Sequence, residues 1–275
     1  MNIIQSFWSK PALKNRWGYN NQLEVNKWLC AASCLLAQRN GATVTMYTDR
    51  IGAVLLKDIP YDKMKIVLDD SLEDTPIFFW AAGKFIALED APLGSIHIDN
   101  DVLLMERKTV EALRFAEYDL IVQQEEPIDT EETQKFYAPH REGVKILGYP
   151  SMMNPDYPQA YNVGIIGFSN EELRSKYIYN YHLMLEHCKQ PKMKDIVSSL
   201  CLYKTLSLDL IMEQIVLHDF AQGYRVKELL DRNNLIRDVE KLNYKHLLGG
   251  VKYSMLPQIQ ELVKQLNINL YNKLL

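Results

Sequence analysis

The sequence predicts an α/β fold, in which helices cover both faces of a mostly parallel sheet. Short apolar strands alternate with segments of helical spacing in the first half of the chain, and helical segments dominate the C-terminal part. The predicted strands are 2–7, 43–48, 64–68, 95–99, 119–124 and 163–168. The predicted helices are 23–39, 50–57, 77–89, 170–188, 207–221 and 225–232.

Local patterns justify these elements in order. The strand 2–7 opens the chain, and the helix 23–39 places Cys30 and Cys34 four residues apart on one face. Residues 43–48 form a second strand that ends before Asp49. Residues 95–99 alternate apolar and polar side chains, as a strand does. The stretch 125–160 is rich in Glu, Pro and Tyr, and we expect no long regular element there.

Composition limits the class of protein. The chain has 275 residues, of which 47% are hydrophobic, and this is enough for one sizeable core. We predict a single domain over residues 1–255 and a helical tail over 256–275. The formal net charge of −4 argues against a nucleic-acid partner, which a strongly basic surface would attract.

Targeting features are not evident. The start of the chain lacks a basic region followed by an apolar run, and no stretch of about 18 apolar residues is present. We therefore expect a cytoplasmic protein, with peripheral contact at the inner membrane face left open by the amphipathic tail. The four cysteines form no zinc-like pair, and we expect buried thiols. The sequence does not indicate an oligomeric state.

Two aspartates lie at the end of the strand 95–99. Asp99 and Asp101 interrupt an apolar stretch that continues through Val102, and two buried like charges need a compensating cation. Mg²⁺ and Mn²⁺ prefer oxygen ligands and leave positions open for phosphate oxygens. A chain of this composition contains about one such pair by chance, so the pair alone is weak evidence.

A second pattern lies near the C-terminus. His246, Gly249 and Lys252 form a His-x-x-Gly-x-x-Lys motif, which chance would produce on the order of 0.02 times in this chain. An imidazole completes a metal's ligand set, glycine lets the backbone approach a ligand, and lysine supplies a charge for phosphate. The alternative for His246 is a helix-end cap.

These motifs resemble those of retaining nucleotide-sugar glycosyltransferases of the glycogenin and bacterial lipopolysaccharide galactosyltransferase type, which have the GT-A fold. The resemblance implies a metal site of Asp99, Asp101 and His246 that holds Mn²⁺ or Mg²⁺. It also implies that Lys84, before the Asp99 strand, and Lys252 contact the donor. By the same resemblance, Gly249 and Asp99 belong to the donor site.

The resemblance extends to candidate catalytic residues. Glu213-Gln214 stands where the family usually has Asp-Gln, and Asn162 begins an Asn-x-Gly turn that enters a strand. We expect these three residues to bind the transferred sugar or the acceptor, or else to have helix-surface and turn-forming roles. Asp49, at the end of another strand, either meets the nucleoside or caps a helix.

The resemblance implies a metal-dependent hexosyltransferase. Such an enzyme would transfer a sugar from a nucleotide-sugar donor with retention of the anomeric configuration. The donor expected from the resemblance is a UDP-sugar. The acceptor would be a glycan or a lipid-linked saccharide, as in polysaccharide biosynthesis. Two alternatives remain open: a non-catalytic carbohydrate-binding or assembly protein, and a sugar-nucleotide hydrolase or nucleotidyltransferase.

Several other residues are expected to be structural. His97 lies two residues before Asp99 on the same strand face, and we expect a hydrogen-bonded core histidine. Glu125 and Glu126 follow the strand 119–124, where adjacent acidic residues point to opposite sides and are commonly solvated. For both we expect a surface position.

Overall fold

The computed structural model describes residues 1–16, 18–148, 153–203, 206–231, 233 and 235–275. Within these ranges the strands are β1 (Asn2–Phe7), β2 (Thr43–Thr48), β3 (Lys63–Ile66), β4 (Ile96–Ile98), β5 (Val102–Leu104), β6 (Leu120–Pro127), β7 (Gln159–Phe168), β8 (Val226–Glu228) and β9 (Tyr244–His246).

The helices before β7 are α1 (Ser9–Leu13), α2 (Gln22–Arg39), α3 (Arg50–Leu55), α4 (Leu68–Leu72), α5 (Ala82–Asp90), α6 (Arg107–Ala112) and α7 (Glu131–Leu147). Those after it are α8 (Glu171–Lys189), α9 (Lys194–Cys201), α10 (Val216–Phe220), α11 (Leu235–Leu242), α12 (Val251–Ser254), α13 (Leu256–Leu266) and α14 (Ile268–Leu274). A 3-10 turn, Pro191–Met193, precedes α9, and a π-helical turn, Leu210–Ile215, precedes α10.

The main sheet has the strand order β3-β2-β1-β4-β7-β6-β8 within the described ranges. Neighbouring strands are parallel except at β7, which runs antiparallel to both β4 and β6. Strands β5 and β9 form a separate antiparallel pair. The predicted α/β class, with a mostly parallel sheet flanked by helices and a more helical C-terminal part, is confirmed.

Side chains from both faces of the sheet are buried. Along β1, Ile3 packs with α2 on one face, while Ile4 packs with α5 on the other; Ile165 and Ile166 of β7 divide in the same way. Because side chains alternate along a strand, a sheet covered by helices on both sides needs apolar residues at successive positions. This explains the adjacent apolar residues Ile3-Ile4 of β1 and Ile165-Ile166 of β7.

The C-terminal helices pack against the domain. Ile259 and Val263 of α13 are buried in the cluster that contains α2, and Lys27 Nζ of α2 donates to the Leu274 carbonyl of α14 at 2.6 Å. The division of the chain into residues 1–255 and a tail of 256–275 stays a prediction. Within the described ranges, no helix combines the length and apolar character that crossing a bilayer requires.

Two predicted elements are wrong. Residues 225–232 were expected to form a helix, but Val226–Glu228 forms β8, because it extends the sheet in parallel beside Leu120–Val122; residue 232 lies outside the described ranges. Tertiary pairing here overrides local helical spacing.

No long regular element was expected in the stretch 125–160, but it contains the 17-residue helix α7. Residues 149–152 of this stretch lie outside the described ranges. Thr130 caps this helix, and its buried side chains recur at helical spacing despite an internal proline: Tyr137, His140, Val144 and Leu147. Strand β7 also begins earlier than expected, so Asn162 and Gly164 lie inside a strand and not in a turn before one.

Candidate metal and donor site

Asp99 directly follows β4, at the carboxyl end of a strand that is parallel to β1. The Asp99–Asp101 segment is fixed by its backbone: Asp99 N–H donates to the Gly164 carbonyl at 2.8 Å, and Leu247 N–H donates to the Asp101 carbonyl at 3.0 Å. The Asn100 side chain donates to the Ser6 carbonyl of β1 at 2.9 Å. Both carboxylates are therefore held at the edge where ligands gather in open α/β sheets.

The small sheet brings His246 to the aspartates. Val102 of β5 pairs with His246 of β9, although the two residues are far apart in the sequence. His246 Nε2 lies 3.3 Å from Asp101 Oδ1. One ligand atom from each of Asp99, Asp101 and His246 lies within 4.8 Å of the other two, so the structure brings together the three predicted metal ligands.

Lys252 of α12 contacts the same aspartate. Its Nζ lies 2.6 Å from Asp101 Oδ2. Burial alone would raise the pKa of Asp101, but the Lys252 ammonium and the contact with His246 hold this pKa well below its usual range. Asp101 is therefore an ionised carboxylate, available to a cation. Gly249, before this lysine, has φ +57°, a left-handed backbone that glycine adopts without strain.

Lys84 contacts the other aspartate, Asp99, and is almost fully buried. Its ammonium contacts Asp99 Oδ1 at 2.8 Å and the Val163 carbonyl at 3.0 Å, and donates to Glu213 Oε1. Burial lowers the pKa of Lys84, but the carboxylates of Asp99 and Glu213 raise it more, so the pKa lies above its ordinary value. Lys84 therefore remains a cation inside the protein.

Glu213 is buried in the π-helical turn. Burial raises its pKa to about 8 against the opposing charge of Lys84, with Asp99 and Asp209 adding to the rise. Glu213 and Asp99 therefore share Lys84, and the charge of this lysine opposes the effect of burial on Glu213. Turns of the π type occur often at functional sites, and this one carries both Glu213 and Gln214.

Gln214 and Asn162, the other two predicted catalytic residues, are linked through α7 and β6. The Tyr137 hydroxyl donates to Gln214 Oε1 at 2.6 Å and lies 3.5 Å from Glu126 Oε2. Asn162 Nδ2 donates to the other oxygen, Glu126 Oε1, at 2.7 Å. Glu126 was expected at the surface, but it is half-buried and joins the two candidates.

Both carboxylate oxygens of Asp49 accept hydrogen bonds that hold the fold. Its Oδ1 accepts from Gly52 N–H at 2.6 Å as the N-cap of α3, and its Oδ2 accepts from the backbone N–H and the hydroxyl of Ser9 at 2.8 and 2.7 Å. The capping alternative is therefore the one present. The predicted nucleoside contact stays a prediction.

His97 is a buried core residue, as expected, with Nε2 3.0 Å from the Ser6 hydroxyl. Burial, with the nearby charge of Lys84, lowers the pKa of His97 well below its ordinary value. His97 therefore stays neutral beside the charged groups of Lys84 and Asp99, and it adds no positive charge to the site.

Sequence reasoning missed Gln123 and Tyr137. Both depend on long-range contacts, since Gln123 meets His246 from a different strand and Tyr137 meets Gln214 from α7. The buried stripe of α7 was a signal for Tyr137, because Tyr137 has the helical spacing of that stripe. No local pattern marks Gln123.

Comparison with solved structures finds glycosyltransferases. Mouse xyloside xylosyltransferase 1, in the apo form, is 14% identical over 84% of this chain and 85% of that chain, with a TM-score of 0.37. The galactosyltransferase LgtC, in complex with donor and acceptor sugar analogues, is 10% identical over 96% of each chain, with a TM-score of 0.44. These TM-scores lie below 0.5, so the function proposed below depends on the site geometry instead.

Comparison with sequences gives one assignment. No curated protein matches the chain. A family model described as "Family of unknown function (DUF6734)" matches residues 1–275. Because the match spans the whole chain, the protein belongs to this family.

Proposed function

We propose that this protein is a metal-dependent glycosyltransferase that moves a hexose from a nucleotide-sugar donor to a glycan or lipid-linked acceptor. The observation that carries the proposal is the convergence of Asp99, Asp101 and His246 within 4.8 Å, with a lysine on each aspartate. Two carboxylates, an imidazole and two ammonium groups suit a divalent cation together with a diphosphate.

The chemistry of the donor set supports Mn²⁺ or Mg²⁺. Carboxylate oxygens favour hard divalent ions, and one imidazole nitrogen among the ligands is better tolerated by Mn²⁺. Asp99, Asp101 and His246 would hold the ion. When bound, it would stabilise negative charge on the departing nucleoside diphosphate.

The two lysines give the site its affinity for phosphate. Asp99 and Asp101 each already contact a lysine, so a divalent ion adds positive charge that a diphosphate would balance. Lys252 would move from Asp101 to a phosphate oxygen, whereas Lys84, fixed by three acceptors, would stay. Gly249 keeps the backbone before Lys252 free of a side chain, so a phosphate can approach closely.

Glu213, Gln214 and Asn162 would bind the transferred sugar or the acceptor. The network Asn162–Glu126–Tyr137–Gln214 presents hydrogen-bonding groups from four elements, as the recognition of sugar hydroxyls requires. We propose retention of the anomeric configuration, which NMR of the first-formed product would test. We assign no nucleophile, because positioned cations dominate catalysis when a diphosphate leaves.

Calorimetric titration of UDP, and then of GDP, with and without Mn²⁺ tests the proposal. We expect one nucleotide to bind with Mn²⁺, and this binding to be lost in Asp101→Asn and His246→Ala. The matched control is Asp119→Asn, which removes a carboxylate that pairs with Arg225, away from the site. Thermal unfolding of each variant checks that it remains folded.

The outcomes separate the alternatives. Absence of nucleotide binding in the wild type under both conditions would overturn the proposal. If a nucleotide binds, incubation with the matching nucleotide sugars and candidate acceptors follows. A new glycoside supports transfer, and free sugar alone would indicate a hydrolase. A separate incubation with a nucleoside triphosphate and a sugar 1-phosphate tests the remaining alternative, because release of pyrophosphate there would indicate a nucleotidyltransferase.

A further inference from the structure

Gln123 lies at an irregular point of β6. The pairing of β6 with β7 shifts register between Val122 and Gln124, so Gln123 is left out of the regular ladder. Such bulges re-aim a side chain, and they occur often beside functional sites. The Gln123 side chain is 4% exposed and turns toward β9.

The side-chain oxygen of Gln123 accepts two hydrogen bonds from β9. His246 Nδ1 lies 2.8 Å from Gln123 Oε1, and the Tyr244 hydroxyl donates to the same oxygen at 2.6 Å. Tyr244 and His246 are two residues apart on one strand, so their side chains lie on the same face. One buried oxygen therefore holds both.

This contact decides which nitrogen of His246 is available to a metal. An amide oxygen only accepts hydrogen bonds, so the proton of the imidazole is placed on Nδ1. The lone pair then lies on Nε2, which is the nitrogen that faces Asp101 Oδ1 at 3.3 Å. Metal-binding histidines usually have such an acceptor behind the ring, and it fixes both the tautomer and the orientation.

Gly164 leaves the space that this arrangement needs. A Cβ at Gly164 would overlap the His246 ring and would lie 2.7 Å from Gln123 Oε1. Both neighbours are held by hydrogen bonds, so neither moves away cheaply. Bare backbone at this point of β7 therefore lets the imidazole and the amide lie side by side.

We infer that Gln123 is a positioning residue that holds His246 in the metal-binding tautomer, with Gly164 providing the room. This inference rests on the proposed metal site. Loss of such a partner behind a metal-binding histidine typically weakens metal binding about 10–100-fold.

The first experiment measures Mn²⁺ affinity by electron paramagnetic resonance of the free ion, with no nucleotide or activity involved. We expect Gln123→Met, which keeps the shape but removes the acceptor, to raise the Kd about 10–100-fold. Gln123→Glu keeps an acceptor and should bind Mn²⁺ at least as tightly as the wild type. The matched control is Gln222→Met, which breaks a glutamine–histidine contact to His218, away from the metal ligands.

The second experiment reads the tautomer directly. Nitrogen-15 NMR of the histidine rings, with the His246 signal identified from His246→Ala, should show Nδ1–H in the metal-free wild type. It should show a mixture, or Nε2–H, in Gln123→Met. If Gln123→Met only destabilised the protein, the melting temperature would fall while the tautomer of His246 in the folded state stayed the same.

The two proposals fail differently. Suppose that the wild type binds Mn²⁺ and that His246→Ala does not. If Gln123→Met then binds Mn²⁺ as tightly as the wild type, the positioning role is wrong while the metal site stands. If the wild type binds no Mn²⁺, both are wrong. Weak binding in Gln123→Met, restored in Gln123→Glu and unchanged in Gln222→Met, supports the inference.

Discussion

Lys252 Nζ lies 2.6 Å from Asp101 Oδ2, while His246 Nε2 lies 3.3 Å from the other oxygen of the same carboxylate. A lysine and a candidate metal ligand therefore share one aspartate. A cation bound at Asp101 must compete with the Lys252 ammonium, and a diphosphate offers Lys252 another partner. Binding of a metal and binding of a nucleotide should consequently depend on each other.

We therefore predict positive coupling between Mn²⁺ and the nucleoside diphosphate. Calorimetry in both orders should show that each ligand raises the affinity for the other by the same factor, about 5–150-fold. Lys252→Met should bind Mn²⁺ more tightly than the wild type when no nucleotide is present, and should lose most of the coupling. Lys245→Met, an exposed lysine of β9, is the control, and an equal change in that variant would contradict the prediction.

Lys84 should contribute strongly to stability. Lys84→Met leaves Asp99 and Glu213 without their shared cation, and removing one member of a buried ion pair costs about 3–5 kcal/mol in the free energy of unfolding. Urea denaturation measures this change. The double variant Lys84→Met/Glu213→Leu should recover part of the loss, because it removes one of the two buried acidic side chains left without the lysine. A double variant as unstable as the sum of both single changes would contradict this explanation.

The fold was predictable wherever local patterns and tertiary contacts agree. The strand before Asp99 and the motif of His246 and Lys252 were visible in the sequence, because apolar alternation and residue spacing are local properties. Strand β8 was not, because three residues form a strand there only by pairing with β6. The pairing of β5 with β9, which brings His246 to Asp101, likewise depends on contacts between distant segments.

The roles of single residues were harder to predict than the elements. Asp49 and Asp99 both end predicted strands, yet Asp49 is used by Ser9 and Gly52, whereas Asp99 faces Lys84. Only the packing of neighbouring segments separates these two cases. Gln123 was missed for the same reason, since its partner lies on another strand.

Asp209 should give the stability of the protein a distinct pH dependence. Its carboxylate is fully buried and accepts from Ala81 N–H at 2.7 Å and the Tyr181 hydroxyl at 2.6 Å. Burial raises the pKa of Asp209 to about 7, against those hydrogen bonds and the charges of Arg16 and Lys84. Between its unfolded pKa of about 3.9 and pH 7 the folded protein holds a proton that the unfolded chain has lost.

The sign follows from this difference. The stabilising contribution of Asp209 is complete below the unfolded pKa and decreases as the pH rises toward 7, by at most about 1.4 kcal/mol per pH unit. Asp209→Asn should remove this decrease, as urea denaturation between pH 4 and pH 8 would show.

His140 acts in the opposite direction: burial lowers its pKa to about 4, so its contribution to stability increases with pH up to its unfolded pKa of about 6.5. His140→Gln should therefore steepen the decrease that Asp209 causes, and identical pH profiles for the two variants would contradict both assignments.

Tyr137 should affect turnover and leave metal and nucleotide binding unchanged. Its hydroxyl donates to Gln214 at 2.6 Å, and among the described residues neither Asp99, Asp101 nor His246 hydrogen-bonds to it. Tyr137→Phe frees the Gln214 amide to rotate, and loss of a hydrogen bond worth about 0.5–1.5 kcal/mol corresponds to a decrease in kcat of up to about tenfold. Tyr179→Phe, which removes an exposed hydroxyl, is the matched control. Because the aromatic ring of residue 137 remains in the core, stability should change little. A fall in nucleotide affinity without a change in kcat would show that Tyr137 serves the donor pocket and not the orientation of Gln214.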